Sequence, residues 1–99
     1  MTLTSNAYIK QNLKDTASRV IDGEAIIINL DSGIYYSLNE VGTVIWELAD
    51  GKRTIREIVE AICDEYEVDR EEAEKDVLEV INDLVREGVV VVSETPIPA

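Results

Sequence analysis

The sequence lacks several side chains on which catalytic and metal sites depend. It contains no histidine, so the commonest general base and the usual nitrogen ligand of zinc are both missing. Its single cysteine, Cys63, cannot form an internal disulfide or a thiolate cluster. We therefore expect a chain without catalytic residues, metal site or cofactor, in which Cys63 serves as a small buried hydrophobe.

Positive charge is also scarce. The 99 residues include 9 basic and 21 acidic side chains, for a formal net charge of −12. Such a surface repels phosphate backbones and anionic lipid, which makes nucleic acids and membrane surfaces poor partners. No apolar run approaches the roughly 20 residues of a membrane span, and the start lacks the layout of a signal peptide. These absences predict a cytoplasmic protein that binds neither nucleic acid nor membrane.

The first half of the chain contains short apolar, β-branched runs separated by turn residues. Strands are predicted at 17–21, 24–30 and 34–38. The Asp22-Gly23 pair between the first two runs is a strong signal for a two-residue hairpin, because both positions tolerate positive φ. The three strands are therefore expected to form an antiparallel meander.

Helical periodicity follows the meander. Asn39 is a good N-cap for a first helix running to about Asp50, and Gly51 is expected to end it. Thr54 and Glu57 have the spacing of a capping box and open a second helix. Two short helices are thus predicted before the longest one.

The third predicted helix carries many of the charges. Asp69 and Glu72 repeat the capping-box pattern at its start, and Gly88 ends it. Most of its carboxylates are interpreted as a solvated face. At about 100° per residue, one apolar arc must face the core, and it comprises Ala73, Val77, Val80, Ile81 and Leu84.

Strands followed by three helices indicate an α+β fold. We predict a winged-helix-like architecture, with a three-stranded antiparallel sheet followed by a three-helix bundle. Residues 1–16 are interpreted as an N-terminal arm able to pair with the sheet, and 93–99 as a flexible tail. The domain itself spans 17–92, and a short strand at 89–92 closes it.

The third strand of the meander is the best candidate for a binding surface. In a meander, 34–38 is an edge unless another segment covers it, and it has neither the lysine nor the proline that commonly blunts edges. An unprotected apolar edge invites strand addition by a peptide. The alternative is that the N-terminal arm or the closing strand covers this edge, and the sequence leaves both interpretations open.

The same segment resembles a known family. Several short stretches are similar to the coenzyme PQQ synthesis protein D (PqqD-like) family: 33–39 (GIYYSLN), 45–46 (IW), 50–51 (DG) and 54–59 (TIREIV). The third helix also fits the family's pattern, though mostly through its apolar periodicity. The resemblance covers about residues 17–91, which is most of the chain.

The resemblance implies a function. PqqD-like domains recognise the leader segment of a ribosomally made precursor peptide and present the rest to a modifying enzyme, in pathways for PQQ, lasso peptides and radical-SAM-modified peptides. The leader lies as an added strand on the third β-strand, over a groove shared with the third helix. With no enzyme domain attached, the maturation enzyme, either a radical SAM enzyme or a leader protease with a cyclase, would act in trans.

One flank of the third helix is chosen for this groove. Leu78 and Val85 extend the apolar arc on one side only, whereas the other flank is charged, and exposed apolar area needs a cover. The alternative is that the protein's own sheet or tail covers both residues. The predicted peptide-binding residues are Ile34, Tyr35, Tyr36, Ser37, Leu38, Glu74, Leu78, Ile81 and Val85.

Two other functions are compatible with the predicted fold. A winged-helix DNA-binding regulator shares the trihelical core, but its recognition helix should present Lys and Arg to phosphates. The charged side chains of 70–87 are instead mostly acidic. A structural subunit without a peptide ligand is the third interpretation, and the sequence does not decide against it.

Overall fold

The chain forms two small antiparallel sheets and three helices. The computed structural model describes residues 4–98. In chain order, the elements are β1 (Tyr8–Gln11), β2 (Thr16–Ile21), β3 (Glu24–Asn29), β4 (Tyr35–Ser37), α1 (Glu40–Leu48), β5 (Asp50–Thr54), α2 (Ile55–Tyr66), α3 (Arg70–Arg86) and β6 (Val90–Ser93). The predicted α+β class is confirmed.

The predicted meander is the sheet β2-β3-β4. β2 pairs antiparallel with β3 across a turn at Asp22 and Gly23, whose φ angles are 53° and 80°. Positive φ at both central residues is what the favoured two-residue hairpin turn requires. β3 pairs in turn with β4, with Ile27 opposite Tyr36.

A second sheet, absent from the sequence-based prediction, has the order β5-β1-β6. β1 pairs antiparallel with both β5 and β6, so Tyr8–Gln11 of the N-terminal arm join this sheet, whereas the last residue of the arm, Thr16, begins β2. The closing strand predicted at 89–92 lies at Val90–Ser93 and is the other neighbour of β1. β5 escaped prediction because its sequence, DGKRT, has low strand propensity and is extended here through pairing with β1.

Local capping places the first two helices. The Asn39 side-chain oxygen accepts a hydrogen bond from the Gly42 N–H at 2.8 Å, at the start of α1. At the start of α2, the Thr54 hydroxyl and the Glu57 carboxylate form the reciprocal capping box that the sequence predicts. The capping signals for these two helices are therefore confirmed.

Two predicted helix ends need correction. Asp69 is the N-cap residue of α3, but its side chain forms no capping hydrogen bond. α1 ends with Ala49 as its C-cap, whereas Gly51 lies in β5 with a φ of 85°. Gly51 instead permits a close approach, because a Cβ at this position would lie 2.7 Å from the Ile97 carbonyl oxygen.

The segment predicted as a flexible tail, 93–99, begins at the last residue of β6. Within it, the Ile97 N–H donates a hydrogen bond to the Gly51 carbonyl at 2.8 Å. The Lys10 ammonium group donates to the Pro98 carbonyl at 2.7 Å. The described part of this segment therefore contacts the second sheet, while residue 99 lies outside the described range.

The hydrophobic core draws on both sheets and all three helices. Cys63 is half-buried and packs against it. Of the arc predicted for α3, Val80 is only half-buried, whereas the other four members are buried. The largest fully buried side chains are Ile9, Ile27, Ile45, Ile55, Ile58, Val59, Val77, Ile81 and Val89.

Candidate binding groove

β4 is an open edge of its sheet. It pairs with β3 on one side, and no other strand formed by residues 4–98 pairs with it on the other. In the described part of the arm, residues 4–16, β1 belongs to the second sheet, as does β6, so neither strand covers this edge. Of the two interpretations that the sequence left open, the uncovered edge is the one found.

The register identifies the backbone groups at this edge. The Leu38 N–H donates to the Ala25 carbonyl in β3 at 2.8 Å. Because hydrogen-bonded and non-hydrogen-bonded pairs alternate in an antiparallel sheet, Tyr36 also bonds to β3. The N–H and C=O groups of Tyr35 and Ser37 therefore point away from β3, where an added strand would meet them.

A groove of about 370 Å³ separates β4 from α3. Its two walls contribute apolar side chains together with carboxylates, which would suit a ligand that has both apolar and basic or hydrogen-bond-donating groups. The wall at β4 is formed by Tyr35, Tyr36, Ser37 and Leu38, and the wall on α3 by Val80, Asp83, Leu84 and Glu87.

A side-chain hydrogen bond joins the two walls. The Tyr36 hydroxyl donates to a Glu87 carboxylate oxygen at 2.6 Å. This hydrogen bond, with the desolvation of the hydroxyl and the negative charge of Glu87, raises the pKa of Tyr36 above its usual value of 10.0. The Asn29 side-chain amide also donates to the Glu87 carbonyl at 2.9 Å. The end of α3 is thus attached to both β3 and β4.

The predicted strand residues line this groove, apart from Ile34, whereas the predicted helix residues do not. Glu74 accepts a hydrogen bond from the Ser5 hydroxyl at 3.0 Å, next to the second sheet. Ile81 is fully buried in the core, and Leu78 is half-buried against it. Val85 is 38% exposed but does not line the groove.

The groove beside β4 therefore lies on the flank of α3 opposite to the one chosen from the sequence. Helical periodicity identifies the arc of α3 that faces the core, but it does not indicate which flank of that arc lies beside β4. In the folded chain the Glu74 flank lies towards the second sheet, which the sequence did not predict, and the charged flank faces β4. Sequence reasoning thus missed Val80 and Leu84, assigned to the core, and Asp83 and Glu87, counted as charged flank.

Two other kinds of feature could indicate a function in residues 4–98: groups of metal ligands and membrane-spanning helices. Between residues 4 and 98, no three His, Cys, Asp or Glu side chains are placed to hold a metal ion. No helix in the same range is both long and apolar enough to cross a membrane. The groove beside β4 is the feature on which a function can be argued.

Comparison with known proteins decides the family. The family model described as coenzyme PQQ synthesis protein D (PqqD) matches residues 24–90, which include β3, β4 and all three helices. This chain belongs to the PqqD family. The resemblance found in the sequence is thereby confirmed.

Two solved structures are similar to this PqqD-family chain. A structure of TbiB1 in complex with the TbiA(beta) leader peptide is 34% identical, covers 82% of this chain and 93% of that chain, and has a TM-score of 0.75. A lasso peptide synthetase B1 complexed with the leader peptide is 20% identical, covers 84% of this chain and 96% of that chain, and has a TM-score of 0.74. The second similarity concerns the fold alone. No curated protein matches the chain.

Proposed function

We propose that this protein recognises the leader segment of a ribosomally synthesised precursor peptide by strand addition and delivers the precursor to a maturation enzyme. The observation that carries the proposal is the open edge of β4 beside a groove of about 370 Å³. The similar structure that is 34% identical, TbiB1, is a complex with a leader peptide, which supports it.

The geometry suggests how a leader would bind. An antiparallel strand would exchange backbone hydrogen bonds with Tyr35 and Ser37, the residues whose polar groups point outward. Alternate side chains of that strand would then enter the groove. There, Leu38 and Val80 offer apolar contacts, and the carboxylates offer acceptors. The proposed binding residues are Tyr35, Tyr36, Ser37, Leu38, Val80, Asp83, Leu84 and Glu87.

The module itself is proposed to be non-catalytic and to need no cofactor. The chain has no histidine, and its one thiol, Cys63, is half-buried beside the core. Modification would then depend on an enzyme acting in trans, either a radical SAM enzyme or a leader protease with a cyclase. Such a module would act in the cytoplasm, where precursor peptides are synthesised.

The charge of α3 argues against the DNA-binding alternative. A recognition helix presents Lys and Arg to phosphates, whereas the wall of α3 beside β4 presents Asp83 and Glu87. Its cation nearest to that wall, Arg86, is already paired with Asp83 at 2.6 Å. A peptide strand suits this surface better than a duplex.

Selection on the intact protein tests the proposal. Random peptides long enough to cross the groove are displayed and selected for binding to the protein. The peptide that binds most tightly is called the selected peptide. On adding it, hydrogen exchange should slow at the amides of Tyr35 and Ser37. The Tyr36 amide, which already bonds to β3, serves as the internal control and should change little.

Two results would overturn the proposed function. One is the absence of any peptide that binds with measurable affinity. The other is protection confined to β2, the opposite edge of the same sheet, since the peptide would then add to the wrong strand.

A further inference from the structure

A second cavity lies between α3 and the start of α1. It has a volume of about 300 Å³. Val80 lines both this cavity and the groove beside β4, so the two spaces adjoin at that residue on α3. The second cavity is lined by Asn39, Val41 and Gly42 on the α1 side and by Asp76, Glu79 and Val80 on the α3 side.

Chain direction orders the two spaces. Tyr36 in β4 contacts Glu87, just beyond the end of α3, whereas Gly42 and the earlier Asp76 both line the second cavity. β4 and α3 therefore run in opposite directions. A peptide antiparallel to β4 would enter beside the start of α1 and leave beside Tyr35, so its residues before the paired segment would pass over the second cavity.

Helix geometry sets the spacing between the two spaces. From their lining residues, their centres on α3 are about five residues apart, or roughly 8 Å at about 1.5 Å per residue. An extended peptide rises roughly 3.3 Å per residue. The peptide residue at the second cavity therefore lies about two positions before the residue at the centre of the groove, and its side chain is on the same face of the strand.

The carboxylates along this wall are not equally compensated. Asp76, Glu79, Asp83 and Glu87 follow one another at spacings of three or four residues, which places them in one row on the helix. Arg86 pairs with Asp83, and the Tyr36 hydroxyl donates to Glu87. Asp76 and Glu79 form no ion pair with any other residue in the range 4–98. Negative charge therefore remains uncompensated at the second cavity.

We propose that this cavity is a second subsite for the leader, which takes a lysine or arginine side chain about two positions before the leader residue at the centre of the groove. The inference rests on the proposed function. Val41 and Val80 would contact the aliphatic stem of that side chain. Asp76 and Glu79 would bind its cationic head.

A charge-swap selection tests the subsite. Random displayed peptides are selected on the unaltered protein and on the double variant Asp76→Lys/Glu79→Lys. Peptides from the unaltered protein should carry Lys or Arg at the stated position, and those from the variant should carry Asp or Glu there. The selected peptide should lose at least about tenfold in affinity on the variant, measured by fluorescence anisotropy.

The matched control is Asp64→Lys/Glu65→Lys, which changes the net charge by the same amount at exposed positions near the end of α2. Lysines are favourable at a helix C-terminus, so this variant should remain folded. It should bind the selected peptide within about twofold of the unaltered protein. Thermal unfolding followed by circular dichroism shows whether both variants are folded. If Asp76→Lys/Glu79→Lys does not fold, Asp76→Asn/Glu79→Gln replaces it. That variant should lose about threefold or more in affinity for the selected peptide.

The outcomes separate the two proposals. Peptides that protect the β4 edge but show no cation preference, or no reversal on the swapped variant, overturn the second subsite and leave the proposed function intact. An equal loss on the control variant also overturns it, since the effect would then follow from net charge alone. If no peptide binds at β4, both proposals fail.

Discussion

The Tyr36 hydroxyl lies 2.6 Å from the Glu87 carboxylate, and this one contact joins the open edge strand to the residue that caps the end of α3. The two residues are 51 positions apart in the sequence. Both line the groove, so their hydrogen bond fixes the separation of its walls at that end. The groove is therefore formed by tertiary contact and not by any local segment.

This contact predicts a dependence of stability on alkaline pH. The Glu87 hydrogen bond, desolvation and charge raise the pKa of Tyr36 in the folded state above 10.0. The unfolded chain thus releases this proton first, and the free energy of unfolding falls as the pH rises from about 10 through the raised pKa. Tyr36→Phe should reduce this slope in urea unfolding series at increasing pH.

Tyr66→Phe is the companion variant for that experiment, because it should flatten the profile independently. Burial and the charge of Glu40 raise the pKa of Tyr66 as well. The double variant should therefore have a flatter alkaline profile than either single variant. If Tyr36→Phe leaves the slope of the parent protein unchanged, the hydrogen bond to Glu87 does not persist in solution.

Substitutions on the two flanks of α3 should have opposite effects. Val80→Ala removes apolar contacts from the groove wall and should weaken binding of the selected peptide by about 1 kcal/mol, or roughly fivefold. Leu78→Ala leaves a gap beside the core and should lower the free energy of unfolding by about 2 kcal/mol with the affinity unchanged. Anisotropy titrations and urea unfolding measure the two quantities. If Leu78→Ala instead weakens binding and Val80→Ala only lowers the free energy of unfolding, the peptide binds at the Leu78 flank.

Proline in β4 should separate folding from binding. The Ser37 N–H points away from β3, and proline is tolerated in an edge strand where the lost N–H faces solvent. Ser37→Pro should therefore fold, with a loss of affinity for the selected peptide of about tenfold or more, because one backbone donor is gone. Tyr36→Pro, which removes an N–H that bonds to β3, should destabilise the sheet instead. Full binding by Ser37→Pro would contradict strand addition at this edge.

Duplex DNA should not bind at physiological salt. The net charge of −12 and the acidic wall of α3 repel the phosphate backbone. Gel-shift titrations with duplexes of varied sequence measure this directly. A complex with micromolar or tighter affinity at that salt concentration would favour the regulator instead.

Features with a local cause were predictable from the residues. The Asp22-Gly23 turn depends on positive φ at two adjacent positions, and the Thr54 and Glu57 capping box depends on groups three residues apart. The uncovered edge at β4 was recognised as a candidate because it lacks the residues that blunt edges. For the turn and the capping box, the atoms that decide the outcome lie within one short segment, whereas the open edge also required β1 and β6 to pair elsewhere.

Features that depend on distant partners were not predictable in the same way. The DGKRT run of β5 becomes a strand only because β1 lies beside it, and β1 has β6 as its other neighbour. Ser5, in the segment that leads into β1, contacts the Glu74 flank of α3, and the Asp83 flank faces β4. Periodicity specifies the direction of the core from one helix alone, whereas the choice between its two flanks depends on which neighbours pack there, and only the folded chain brings those neighbours together.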